Sequence, residues 1–249
     1  MCTRRSVRLG AESAPGELLR WDSDFWGIAI GRVADGEVTD ARLARVEEWA
    51  AGAGLDCLYL LAPAEDPASV HVAEGGGFRV MDLRVELRRP AGGRAGQTGV
   101  REAREEDRDA LRAIARSSHR ITRFYADPNF ADKRCDDLYD TWITRSLDGW
   151  ADGVLVVESA GSAAGYVTCH LDEDERRGSI GLIAVAEAAR GKGLGLALTR
   201  GAVSWCGARS MEEMSVVTQG RNVAALRTFE QAGFRMSSVA VWLHKWFGR

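Results

Sequence analysis

Ala189-Arg190-Gly191-Lys192-Gly193-Leu194-Gly195 is the stretch of this chain best suited to chemistry. Alternate glycines let the backbone turn tightly and leave its N–H groups uncovered, and Arg190 and Lys192 add full positive charges. An apolar run, Ser179 to Val185, comes before it. After it comes an amphipathic run with Leu196, Leu198, Ala202, Val203 and Trp205 on the inward side. A strand, a glycine turn and a helix in that order aim several amides and the positive helix end at one point. That is a cradle for a phosphate or pyrophosphate. The spacing narrows the ligand. A dinucleotide fold wants Gly-x-Gly-x-x-Gly, and the third glycine here comes one residue early. A P-loop needs four residues between its glycines and then Lys-Ser or Lys-Thr, which this stretch lacks.

A second candidate region is Ser118-His-Arg-Ile-Thr-Arg-Phe-Tyr-Ala-Asp-Pro-Asn-Phe130. Arg120 and Arg123 suit a diphosphate, and Phe124, Tyr125 and Phe130 suit a base or a sugar face. The competing reading is an aromatic loop packed on the sheet. His119, Asp127, His170 and Glu158 are candidate bases, and each also reads as an ordinary surface residue. Cys169 and His170 adjoin on a strand and face opposite sides, which argues against a Cys–His dyad. Asp22 and Asp24 lie in an aromatic segment read as a packed strand. The five cysteines and four histidines are scattered, so no metal site is expected and a reducing cytoplasm is.

The elements that position these residues fall into two halves. The stretch Arg88-Arg-Pro-Ala-Gly-Gly-Arg-Ala-Gly-Gln-Thr-Gly99 reads as a linker, giving an N-terminal domain over 1–88, a linker over 89–99 and a second domain over 100–249. The second half alternates helical patterns with strands and a hairpin whose turn is expected in Gly161-Ser-Ala-Ala-Gly165, an α+β arrangement built on an antiparallel sheet. The halves echo one another. At an offset of 156 residues, Trp205 falls on Trp49, Ala224 on Ala68, Glu230 on Glu74 and Gly233-Phe-Arg on Gly77-Phe-Arg. The glycine turn exists only in the second copy. With 249 residues and a net charge of −3, nothing points to a non-specific polyanion binder, so no nucleic-acid partner is expected. The polar N-terminus does not read as a secretory signal, and no run approaches the ~18 apolar residues of a membrane span.

Arg190-x-x-Gly193-x-Gly195 after an apolar strand, then Asn222-x-x-Ala225-x-x-x-Phe229-x-x-x-Gly233-Phe234, resembles the GCN5-related N-acetyltransferases over about residues 100 to 246. The resemblance implies the GNAT fold, a mostly antiparallel mixed sheet flanked by helices, here preceded by a degenerate half. It implies acetyl-CoA as cofactor. The pyrophosphate would lie on Arg190, Gly191, Lys192, Gly193, Leu194 and Gly195. The pantetheine arm would lie along Ile183, Ala184 and Val185, with Asn222 and Phe229 beside it. The amides of Ile183 and Ala184 would polarise the acetyl carbonyl. Phe229 stands where the family usually has the tyrosine that protonates the leaving thiolate, which leaves the general acid open. The thiolate leaves unaided, or Tyr166 or a water donates, or the protein binds acyl-CoA without turnover. Segments around Arg20–Val33, 118–149 and 218–234 further resemble the TDP-fucosamine acetyltransferases. That implies the amine of a TDP-aminosugar as acceptor, with Arg120, Arg123, Tyr125 and Asp127 as its contacts. A protein N-terminus or a small polyamine is the alternative acceptor, and a homodimer is compatible with either.

Overall fold

A computed structural model describes residues 14–91 and 99–248. Most of the stretch read as a linker, and the N-terminal residues read for a signal, lie outside the described residues. The chain folds as two units. One holds the residues through Arg84 together with those from Val239 onward, and the other holds Val85–Ser238.

In the first unit, strand β1 (Gly16–Leu18) pairs antiparallel with β2 (Ile30–Val33), and β2 runs parallel to β3 (Cys57–Pro63). Helices α1 (Arg20–Trp26), α2 (Asp40–Gly52) and α3 (Pro67–Gly75) intervene, and β4 (Arg79–Pro90) begins here. The far side of β3 is closed by Ala240–Trp246 of β10 (Arg235–Trp246). Val46, Leu58, Leu60, Phe78 and Leu243 form its core. The segment read as a packed strand around Asp22 and Asp24 is helix α1. Trp21 and Phe25, one turn apart, stack at 5.4 Å, and that i,i+4 spacing selects the helix over period-2 packing. Two residues apart on a helix, the carboxylates do not share a face.

In the second unit, β5 (Val100–Glu102), β6 (Gly153–Ser159), β7 (Ser162–Asp172) and β8 (Arg177–Val185) form an antiparallel meander, and β8 runs parallel to β9 (Glu213–Gln219). Helices α4 (Arg108–Ser118), α5 (Arg123–Ala126), α6 (Asp132–Arg145), α7 (Leu194–Gly207) and α8 (Val223–Gln231) complete it. The β6–β7 turn is Ala160-Gly161, with φ of 53° and 79°, tighter and earlier than expected. Two left-handed residues match the twist of the flanking strands, so β7 starts at Ser162. A Cβ on Gly165 would meet Leu198 of α7, whereas Tyr166 reaches His119 at the end of α4. Since strand side chains alternate, α7 and α4 cover opposite faces. The fold is thus α+β with open mixed sheets flanked by helices.

The echo holds element by element. Shifted by 156 residues, β3, α3 and β4 start and end where β9, α8 and β10 do. The repeated Gly-Phe-Arg is a helix stop. Gly77 and Gly233 sit at φ 84° and 90°, and each lets the next amide turn back onto its helix, Phe78 to Ala73 and Phe234 to Phe229, both at 3.0 Å. The phenyl rings that follow are buried at 1% and 0% exposure. The N-cap is shared too. Asp66 accepts from the Ser69 amide, and Asn222 from the Ala225 amide.

Candidate active site

The glycine turn opens α7. Gly191 and Gly193 stand at φ 77° and 76°, and a Cβ on either would meet nothing within 4 Å. Glycine is needed there for its backbone, not for room. Gly193 caps the helix without a side-chain bond, and the first helical bond is Ala197 N–H to Gly193 O at 3.0 Å. The amides of Leu194, Gly195 and Leu196 therefore have no acceptor within the helix. Arg190 and Lys192 flank them, exposed, with Arg190 Nε donating to Val185 O at 3.4 Å. Bare amides, the helix dipole and two cations fit a diphosphate.

Among the described residues, strand β8 has a free edge beside this turn. Its parallel pairing with β9 reaches Ile180 opposite Val216, while β8 runs on to Val185. On its other side the register with β7 slips between Val167 and Cys169. There the Leu182 amide donates to Thr168 Oγ1 at 2.8 Å. Beyond the slip, Ala186 N–H donates to Ala164 O, so Ala184 is the hydrogen-bonded partner of Tyr166. By alternation, the amides of Leu182, Ala184 and Ala186 point to β7, and those of Ile183 and Val185 point to the free edge. Of the two amides expected at the carbonyl, Ile183 faces the edge and Ala184 lies in the ladder. An extended arm laid along this edge would pair like an added strand.

The bulge is what sequence reading missed. Its signal was Gly181 inside an apolar strand. A Cβ there would lie 2.6 Å from His170 Nε2 and 2.8 Å from Thr168 Oγ1.

On the α4 face, His119 Nε2 lies 2.9 Å from Tyr166 Oη, and the imidazole stacks on Tyr139 at 4.5 Å. Burial pushes the His119 pKa down to about 4 and that of Tyr166 up. Tyr125 Oη donates to Asp136 Oδ1 at 2.6 Å, and Arg120 pairs with the same carboxylate at 3.1 Å while lying over the Tyr125 ring. Burial and that carboxylate raise the Tyr125 pKa. Arg123 covers Phe124. Asp127 is buried and accepts from the Asn129 amide and side chain. Phe124 and Phe130, offered above for stacking on a base, are both 4% exposed and pack on each other, so they are core. Glu158 is held by Arg101, and His170 lies under Trp150. Asn222 caps α8. Phe229, 2% exposed, meets Phe234 edge to face at 6.0 Å.

Residues 109–234 match the acetyltransferase (GNAT) family, and the chain belongs to that family. It is an acyltransferase, and enzymes of this family draw their acetyl group from acetyl-CoA. A dTDP-fucosamine acetyltransferase of Escherichia coli is 28% identical over 234 residues, spanning 92% of this chain and 97% of that protein. The spore coat polysaccharide biosynthesis protein SpsD of Bacillus subtilis is 25% identical over 57% of this chain and 49% of its own. A GCN5-related N-acetyltransferase from Sphaerobacter thermophilus shares the fold, with a TM-score of 0.66 at 15% identity over 93% of this chain and 76% of that one. Among the described residues, no helix is long and apolar enough to cross a membrane.

Proposed function

We propose that this enzyme acetylates the amine of a nucleotide-linked aminosugar, with TDP-4-amino-4,6-dideoxygalactose as the first candidate, by direct transfer from acetyl-CoA. The observation that carries the donor half is the free β8 edge leading into the bare amides at α7. Val185 and Ile183 would pair with the pantetheine arm, and Leu194, Gly195 and Leu196 would hold the diphosphate. Ile183 N–H is the oxyanion donor, since its neighbours' amides are already bonded. One such donor is worth about 10²–10³ in rate. Holding amine and thioester together supplies much of the remainder. The amine must arrive neutral. The C–N bond forms as the C–S bond breaks, the amine proton goes to water, and the thiolate, of pKa about 8.5, leaves without a tyrosine at position 229.

The acceptor half rests on the near full-length similarity to the Escherichia coli enzyme. A thermal-shift panel of TDP- and UDP-aminosugars with coenzyme A present tests it, followed by thiol release with any nucleotide that binds. Stabilisation by TDP-aminosugars with thiol release is expected. No shift with any nucleotide, alongside a shift with coenzyme A alone, would overturn the sugar and leave a peptide or polyamine as acceptor.

A further inference from the structure

The link from α4 to α5 carries two buried hydroxyls with no hydrogen-bond partner among the described residues. Thr122 is 8% exposed, and its Oγ1 has no hydrogen-bond partner among the described residues. Ser118 Oγ, four residues earlier, is buried and equally unmatched. A buried hydroxyl without a partner is costly, so two in the short link from α4 to α5 call for an explanation. The segment is not loose: Arg221 Nη2 donates to Thr122 O at 3.2 Å, tying it to the loop that leads into α8.

His119 stands between them, and Tyr166 determines which of its nitrogens is free. Tyr166 is fully buried, and its hydroxyl meets His119 Nε2. A buried phenol proton needs an acceptor. If Nε2 carried hydrogen, that proton would point at nothing, so Tyr166 donates and His119 carries its hydrogen on Nδ1. Half-buried, His119 presents that N–H as a neutral donor. Tyr166 is also the ladder partner of Ala184, one residue from the edge amide of Ile183.

We propose that Tyr166 fixes His119 as an Nδ1–H donor, and that His119, Ser118 and Thr122 form a polar subsite for hydroxyl groups of the acceptor. Two hydroxyls able to give or accept, beside one obligate donor, fit a polyhydroxylated ring better than an aliphatic amine. The inference rests on the acetyl-transfer reading and names the acceptor chemistry that goes with it. His119 touches the acceptor, and Tyr166 is a positioning residue acting through it.

Two measurements on the whole protein test it. Kinetics with a TDP-aminosugar should show the acceptor KM raised about tenfold in His119→Ala, with the acetyl-CoA KM unchanged, as for loss of one neutral hydrogen bond. His119→Asn, whose amide retains a donor near Nδ1, should stay within about threefold of wild type. An unchanged acceptor KM in His119→Ala overturns the subsite. ¹⁵N spectra of the histidines read the second part without any acceptor. His119 should be the Nδ1–H tautomer, and Tyr166→Phe should change that signal. An Nε2–H tautomer in the wild type overturns the lock. If the wild type turns over no aminosugar, the sugar reading fails while the spectra still decide the Tyr166–His119 pair, and the same His119 variants are then scored against the amine that is turned over.

Discussion

Thr168→Val isolates the bulge from everything around it. Valine keeps the shape of threonine and removes only the oxygen that accepts from the Leu182 amide at 2.8 Å. Thr168 is fully buried, so no water replaces that oxygen. The lost bond plus an unmatched amide costs about 1–3 kcal/mol, which for a chain of this size lowers Tm by about 2–10 °C. The larger effect is on the reaction. Oγ1 lets Leu182 bond to β7 although the strands are out of step there, and that step sends the Ile183 amide to the free edge. If the bulge relaxes by one residue, Ile183 turns toward β7 and the edge loses its carbonyl donor. The kcat should then fall about 10²-fold or more, as for removal of an oxyanion donor, with a smaller change in acetyl-CoA KM. Thiol release and a thermal melt measure both. A lower Tm with unchanged kcat would refute the link between the bulge and the carbonyl. Unchanged values of both would refute the role of Thr168.

Gly193→Ala forces a left-handed alanine at the mouth of α7, costing about 1–2 kcal/mol, and should raise the acetyl-CoA KM at least tenfold with little effect on acceptor KM. Phe229→Tyr restores a phenol where thiolate protonation is otherwise unaided. The rate should rise about tenfold near pH 7 and converge with wild type above pH 9, and an unchanged rate at pH 7 would point to another donor. His119 has a folded pKa of about 4 against an ordinary 6.5. Its neutral form is favoured by the fold, so its contribution is full above pH 6.5 and falls by up to about 3 kcal/mol as pH drops toward 4. A denaturant titration of wild type against His119→Asn across that range should show this slope only in the wild type.

Much of the fold was legible because it is local. The buried side of α4, Leu111, Ile114 and Ala115, follows from helical spacing, and the helix stops at Gly77 and Gly233 follow from the one residue tolerant of positive φ. The glycine turn was legible for the same reason. The aromatic segment at 124–130 was not. Phenylalanines that suit a ligand and phenylalanines that suit a core are the same residues until α6 packs against them.

The sequence by itself determined the strand, glycine turn and helix that present bare amides, and it showed the echo between the two halves, because both are patterns along the chain. Only the tertiary structure decided which amides are free. That depends on where β9 stops pairing with β8 and on a bulge set by Thr168 from another strand. It alone joined His119 to Tyr166, 47 residues apart, because a hydrogen bond between a helix end and a strand leaves no period in the sequence.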